Sequence, residues 1–186
     1  MLEQLIEFDK TIFLYLNGFH SPVWDHIMFA ISGKLIWLPL YLAVLSHLIF
    51  TFKKKAIIAV LGVLILIGMA DFTASKIFKP NIKRYRPTHD VSILEKVHTV
   101  NNYRGGTYSY FSSHASISYV FTFFLIFLMA KKKKYYYVLL FWATIVSYSR
   151  IYLGVHYPLD ILTGALCGFI YAYGFINIPI LKKMRL

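Results

Sequence analysis

The sequence predicts an all-α integral membrane protein: a helical bundle of about five transmembrane helices, with an N-terminal amphipathic helix lying in the membrane interface. The chain has 186 residues, of which 58% are hydrophobic and 18% aromatic, and this is too apolar for an ordinary soluble domain. A helix needs roughly 20 mostly apolar residues to cross the bilayer core. Segments of that kind occupy most of the chain, so we expect one membrane-embedded domain over residues 1–186.

The helices follow in chain order. Residues 2–17 carry Glu3, Glu7 and Lys10 on one stripe with apolar residues around it, which is typical of a helix lying along a membrane surface. Asn17-Gly18 ends this helix. Spanning segments are then expected at about 35–52, 56–78, 112–130, 135–153 and 159–181. An alternative for the first is an extension back to Trp24, with a bend around Gly33.

Three polar clusters lie between the spans, and the predicted topology brings them together. The first, Lys79–Pro87 (KPNIKRYRP), follows the second span, and the second, Phe111–His114 (FSSH), opens the third span. The third, Ser149–Asp160 (SRIYLGVHYPLD), joins the fourth span to the fifth. Because the chain crosses the membrane twice between the second cluster and the third, all three are expected on one face. The polar stretch 80–110 is expected to be a loop outside the membrane on that face.

The formal net charge of +12 indicates a membrane partner rather than nucleic acid. Basic runs lie at the ends of apolar segments, opposite the polar clusters, and not along one soluble face. The positive-inside rule places these runs in the cytoplasm and the clusters outside. We therefore expect a protein of the bacterial inner membrane whose clusters face the periplasmic, or extracytoplasmic, side. The basic runs are Lys53–Lys55, Lys131–Lys134, and Lys182, Lys183 and Arg185.

In order, spacing and residue type the clusters resemble the three-part signature of the type-2 phosphatidic acid phosphatase superfamily, membrane lipid phosphatases that are related to vanadium haloperoxidases. The signature reads Lys, six residues, Arg-Pro; then Pro-Ser-Gly-His; then Ser-Arg, five residues, His, three residues, Asp. The first and third clusters match it in full. The second differs at two of its four positions, since Phe111 stands where the family has Pro and Ser113 where it has Gly.

The residue types in the clusters suit the binding of a phosphate group. Lys79, Arg86 and Arg150 supply three cations, and an Arg can hold two phosphate oxygens at once. Ser112 and Ser113 lie where the third span begins, and the free backbone N–H groups at a helix N-terminus bind anions. We expect these five residues to bind the phosphate of the substrate.

The resemblance implies a covalent mechanism carried by two histidines. His156 is expected to be the nucleophile that forms a phosphohistidine, and Asp160, four residues further on, to orient its ring. His114 is expected to protonate the leaving oxygen and later to activate water. Asp71, inside the second span on the same stripe as Lys79, is a candidate supporting residue; the alternative is that it pairs locally or faces the interface.

Other conspicuous residues are expected to be structural. A metal ion competes for any His/Asp cluster, but three adjacent cations repel a divalent ion, so we expect no metal and no cofactor. Gly164 and Gly168 in the last span permit close helix packing, within the chain or between copies. His47 is expected to be a buried residue of the first span. Anchors at the membrane interface are expected at Lys76, Lys83, Arg84, Lys96 and Arg104.

These observations predict an enzyme that hydrolyses a lipid phosphate or diphosphate monoester. An external site suits undecaprenyl diphosphate best, with phosphatidylglycerophosphate and the lipid A phosphates as alternatives. A small anion transporter would use the same cations, but transport sites lie near the bilayer midplane in repeated halves, and neither feature is visible in the sequence. The expected partners are the lipid substrate and the bilayer, and the sequence leaves the oligomeric state open.

Overall fold

The computed structural model describes residues 1–129 and 133–185, and these residues form helices joined by turns and loops. The helix Ala56–Phe72 continues through a π-helical segment, Thr73–Phe78, into a last turn at Lys79–Ile82. The helices are α1 (Leu2–Asn17), α2 (Pro22–Ser32), α3 (Leu38–Phe52), α4 (Ala56–Phe72), α5 (Ser113–Met129), α6 (Val138–Tyr152), α7 (Pro158–Ile176) and α8 (Pro179–Lys182).

Each segment that was predicted to span the membrane contains a helix, α3 to α7. The helical stretch Leu35–Ile82, which turns at Lys53–Lys55, and the helix α7 meet the length and hydropathy of membrane-spanning helices. The helix α5 is apolar and 17 residues long. The number of crossings stays a prediction. Ala130, Lys131 and Lys132, which belong to the predicted third span and basic run, lie outside the described residues.

Local sequence signals set the helix starts that form the site. Pro158 occupies the first turn of α7, and the Asp160 carboxylate accepts a hydrogen bond from the Tyr157 N–H at 3.0 Å. Ser112 precedes α5, and its Oγ accepts from the Ala115 N–H at 3.3 Å. The Ser112 N–H also donates to the Asp160 carbonyl oxygen at 3.1 Å, so α5 and α7 begin side by side.

The helix α5 lies at the centre of the bundle and packs most closely against α7. A Cβ atom added at Gly164 would lie 2.7 Å from the Ser112 carbonyl oxygen, and one at Gly168 would lie 2.7 Å from the Val120 nitrogen. Any larger residue would push the helices apart, so this pair of glycines serves packing within the chain. The bundle interior is filled by apolar side chains, among them Leu66, Phe124, Leu125, Leu128 and Ile176.

The N-terminal helix α1 has the predicted bounds, and its inner side packs on the bundle. Asp9, Phe13 and Asn17 are buried on that side, whereas Glu3 and Glu7 are exposed. Asn17 Nδ2 donates to the carbonyl oxygens of Ile151 and Tyr152 at 3.1 and 2.9 Å. The helix α1 is thus fixed to α6 and α7 by buried polar contacts, and its place in the membrane interface stays a prediction.

Candidate active site

The three polar clusters meet at one end of the bundle, so the predicted convergence is confirmed. Two backbone hydrogen bonds join the first cluster to the residues that precede the second. The Arg86 N–H donates to the Thr107 carbonyl oxygen at 3.1 Å, and the Ser109 N–H donates to the Arg84 carbonyl oxygen at 2.8 Å. The backbone bond between the starts of α5 and α7 joins the second cluster to the third. Side chains of all three clusters consequently reach a common space.

Lys79 lies in the helical turn Lys79–Ile82 after α4, and its side chain reaches the start of α5, where the free N–H groups of a helix attract anions. Its Nζ donates to Ser113 Oγ at 3.0 Å. Ser112 is fully buried, and its hydroxyl is occupied in capping α5. Ser113, the residue that departs from the family pattern, therefore holds the Lys79 ammonium at the helix start, a contact that glycine has no side chain to make.

The two arginines are anchored by some of their donors and keep others unpaired. Arg86 Nε donates to the Tyr108 carbonyl oxygen at 3.2 Å. Arg150 donates from Nη2 to the Tyr103 hydroxyl at 3.0 Å and from Nη1 to Ser32 Oγ. Arg86 Nη1 and Arg150 Nε are buried and have no hydrogen-bond partner among the described residues. A buried donor without a partner is costly, so we expect an anion to bind these two N–H groups.

Arg86 lies near a second cation, Arg150, and is covered by the loop that leads to α5. Burial, and then the charge of Arg150, lower the pKa of the Arg86 guanidinium to about 10. Gly105, with φ of 66°, lies directly over this guanidinium, and a Cβ atom there would overlap it. Sequence reasoning missed Gly105, because the contact depends on how the loop folds back over the first cluster.

His156 and Asp160 form a buried pair. His156 Nδ1 lies 3.3 Å from Asp160 Oδ2, and the two residues are 1% and 0% exposed. Because the carboxylate accepts a hydrogen bond, Nδ1 carries the proton and Nε2 keeps its lone pair. Burial, followed by the charges of Arg86 and Arg150, lowers the pKa of His156 well below its ordinary value. The ring is therefore neutral near pH 7, as a nucleophile requires.

His114 faces a cavity of about 280 Å³ at this end of the bundle. Arg150, Tyr103 and Lys34 line the same cavity. A group that is held by Arg150 would therefore lie near His114, as the predicted general acid requires. Sequence reasoning missed Lys34, which precedes the first predicted span and belongs to none of the three clusters.

Arg84 contradicts the prediction that it is an anchor at the membrane interface. Its Nη1 lies 3.2 Å from Asp160 Oδ1, and its Nη2 lies 2.6 Å from Asp9 Oδ2. Its guanidinium also covers the Tyr157 ring, 3.8 Å from the ring centroid. The sequence shows Arg84 two residues before Arg86, but its acidic partners come from distant segments that only the fold brings together.

Two predictions concern single polar residues within the spans. Asp71 is exposed on α4, and no side-chain hydrogen bond or ion pair links it to another described residue. Its supporting role stays a prediction, which an Asp71→Asn variant with full activity and full expression would remove. The prediction that His47 is buried is wrong, because His47 is only half-buried on α3, where its Nε2 lies 3.1 Å from the Tyr135 hydroxyl.

The charges around the site favour an anion over a cation. Within residues 1–129 and 133–185, no group of three or more His, Cys, Asp or Glu side chains is placed to hold a metal ion. A neutral, oriented imidazole next to cationic donors can attack a bound phosphate group, and a helical membrane bundle gives lipids access to it. These are the properties of a membrane-embedded hydrolase of phosphoric monoesters. The chain belongs to the PAP2 superfamily, whose family model matches residues 56–183, and it is a membrane lipid phosphatase.

Comparison with known proteins supports this classification. A lipid A 4'-phosphatase of Bacteroides thetaiotaomicron is 38% identical over 170 residues, which cover 90% of this chain and 75% of the relative. A lipid A 4'-phosphatase of Porphyromonas gingivalis is 31% identical over 187 residues, or 99% of this chain and 78% of the relative. An undecaprenyl-diphosphatase of Sulfolobus acidocaldarius is 28% identical over 170 residues, or 89% of this chain and 76% of the relative.

A solved structure shows the same fold. The crystal structure of a transmembrane PAP2-type phosphatidylglycerolphosphate phosphatase from Bacillus subtilis has a TM-score of 0.70 and is 23% identical. The match covers 98% of this chain and 88% of that chain. The predicted all-α membrane bundle is thereby confirmed as a fold class.

Proposed function

We propose that this protein removes a phosphate group from lipid A, or from a closely related phosphorylated glycolipid, through a phosphohistidine on His156. The two relatives named lipid A 4'-phosphatase, which match 90% and 99% of the chain, support this substrate class. The observation that carries the chemistry is a pair of buried donors, Arg86 Nη1 and Arg150 Nε, that find no acceptor within residues 1–129 and 133–185 and lie near the His156–Asp160 pair.

The residues fit a two-step transfer. The phosphate binds to the free donors of Arg86 and Arg150, to Lys79 and to the N–H groups at the start of α5. His156 Nε2 attacks phosphorus, and the bond from phosphorus to the lipid oxygen breaks while His114 gives that oxygen a proton. A water molecule then attacks the phosphohistidine and gives its proton to His114, which releases inorganic phosphate and restores both rings.

An apolar groove next to the site supports a lipid substrate. It has a volume of about 290 Å³ and is formed by residues of α3, α4, α5 and α6. Ile117 and Phe121 of α5 line it, and they follow His114 by about one and two helical turns. A hydrocarbon chain of the substrate lying in this groove would extend into the bilayer while its phosphate stays at the helix ends.

Undecaprenyl diphosphate, which the sequence alone favours, is the second candidate, and the relative named undecaprenyl-diphosphatase supports it. We also propose that the whole chain forms one catalytic domain in a bacterial inner membrane. The basic turn Lys53–Lys55 and the site are separated by the length of α4. With the basic turn in the cytoplasm, the site faces the extracytoplasmic side.

The test is release of inorganic phosphate by the purified protein in detergent from three lipids: lipid A, undecaprenyl diphosphate and phosphatidylglycerophosphate. We expect release from lipid A, loss of one phosphate from the lipid by mass spectrometry, and no release by His156→Ala. The exposed His26 provides a matched control, since His26→Ala should act like the wild type.

Each other outcome has a clear meaning. Release from undecaprenyl diphosphate alone keeps the mechanism and replaces the substrate. Release that survives His156→Ala, or no release from any of the three lipids, overturns the proposal. Anion flux into vesicles without phosphate release would identify the protein as a transporter instead.

A further inference from the structure

A chain of charged side chains links the N-terminal helix α1 to the nucleophile. Asp9 Oδ2 lies 2.6 Å from Arg84 Nη2, and Arg84 Nη1 lies 3.2 Å from Asp160 Oδ1. The other oxygen of Asp160 accepts from the His156 ring and, at 3.0 Å, from the Tyr157 N–H. The contacts therefore run from Asp9 through Arg84 and Asp160 to His156. Only the contact between Asp160 and His156 joins residues that are close in sequence.

Both ends of this series of charged side chains are buried away from solvent. Asp9 is 2% exposed, Asp160 is 0% exposed and His156 is 1% exposed. The second oxygen of Asp9 accepts from the Leu159 N–H at 3.0 Å, directly beside Asp160 at the start of α7. Asp9 thus contacts both the arginine that binds Asp160 and the backbone that carries it. A buried carboxylate that is paired with a guanidinium on one oxygen and with a backbone N–H on the other is a built contact and not a chance surface pair.

The Tyr157 ring, next to these charged side chains, also holds α1 against the segment around His156. Arg84 lies over the Tyr157 ring, and Phe13 of α1 packs edge-to-face against the same ring with the centroids 5.3 Å apart. The Tyr157 hydroxyl donates to Asp90 Oδ2 at 3.0 Å, and Lys10 of α1 pairs with the same oxygen at 3.1 Å. The helix α1 therefore fixes the segment around His156 at several points.

We infer that Asp9 is a positioning residue of the reaction: through Arg84 it holds Asp160 in the orientation that aligns His156 for attack. This inference rests on the proposed function, in which His156 is the nucleophile. The carboxylates of Asp9 and Asp160 share the Arg84 guanidinium, so these three side chains together keep a net negative charge. That charge stabilises the positive charge which develops on the His156 ring as its Nε2 bonds to phosphorus. Without the Asp9 charge, the Arg84 charge would cancel that of Asp160, and the His156 ring would lose this stabilisation.

The test is an Asp9→Asn variant, which keeps the size of the side chain and an oxygen for the Leu159 N–H but removes the charge. We expect kcat to fall by roughly tenfold or more, the value of one charged hydrogen bond, with KM within about twofold. The Asp9→Asn/Arg84→Gln double variant should be no slower than Arg84→Gln alone, because Asp9 acts through Arg84.

The matched control is Asn17→Ala, which loosens the other end of the same helix. It removes the bonds to Ile151 and Tyr152, so it should lower the melting temperature in detergent while kcat stays near that of the wild type. If Asn17→Ala lowers kcat as much as Asp9→Asn does, the helix acts only as a scaffold and the inference falls.

The remaining outcomes also decide the question. A wild-type kcat in Asp9→Asn, or strictly additive losses in the double variant, overturns the inference while the proposed function stands. A wild type that hydrolyses none of the lipids overturns the proposed function. If Asp9→Asn does not fold, Arg84→Lys replaces it, since one ammonium lacks the planar fork that bridges the two carboxylates; an unchanged kcat there would refute the inference.

Discussion

Arg150 offers the sharpest test of the phosphate pocket, because its guanidinium divides its donors between the protein and the proposed ligand. The two Nη atoms are occupied by Ser32 and Tyr103, and the buried Nε has no hydrogen-bond partner in the part of the chain that the structure describes. Arg150→Lys keeps the positive charge but supplies one ammonium, which cannot make both protein contacts and also reach the phosphate. At least one charged hydrogen bond to the phosphate is then lost, which costs about 1.5–3 kcal/mol.

That free energy corresponds to a loss in kcat/KM of about ten- to a hundredfold. The assay is phosphate release at several substrate concentrations, with inhibition by vanadate, a phosphate mimic, measured in parallel; vanadate should bind more weakly by a similar factor. Arg104→Lys is the control, since Arg104 is an exposed residue of the loop before α5. If Arg150→Lys stays within twofold of the wild type in both measurements, the assignment of its Nε to the phosphate is wrong.

Three further predictions test other parts of the account. Gly105→Ala should displace the Arg86 guanidinium and lower kcat/KM at least tenfold, as phosphate-release kinetics would show. Gly168→Ala should lower the melting temperature in detergent because its Cβ meets α5, whereas Gly174→Ala, whose Cβ meets no neighbour within 4 Å, should not. The pKa of His156 is lowered in the folded protein, so the unfolded chain binds the extra proton and the free energy of unfolding falls as pH drops below about 6.5. Denaturation measured between pH 7 and pH 5 should show this fall in the free energy of unfolding. The fall with pH should be less steep in His156→Ala.

The sequence predicted the parts of the structure that depend on periodicity and order. Hydropathy placed the long helices, and their alternation across the membrane required the clusters of Lys79, His114 and His156 to meet. The roles of Arg84 and Asp9 could not be predicted, because their pairing joins segments 75 residues apart and depends on how α1 docks. A charged residue in the sequence of a membrane protein has two ordinary explanations: it anchors the protein at the membrane interface, or it belongs to a buried ion pair. Only the fold distinguishes them.

The surroundings of α1 also could not be predicted from the sequence alone. Glu3 and Glu7 of its charged stripe are exposed, as in a helix on the membrane surface, while Asp9 and Asn17 are buried against α6 and α7. The amphipathic pattern reports that one face is polar, and it does not report whether that polarity meets water or protein. In the same way the Gly164 and Gly168 pair predicted close packing, and the structure identified α5 as the partner helix.

The most direct test of the central claim is to find the phosphoryl group during turnover. The protein is mixed with lipid substrate, quenched within milliseconds under alkaline conditions that preserve phosphohistidine, and digested for mass spectrometry. We predict a phosphoryl group on His156, absent in His156→Ala. A phosphoryl group on any other residue, or turnover in which no phosphorylated protein forms at any time, would contradict it.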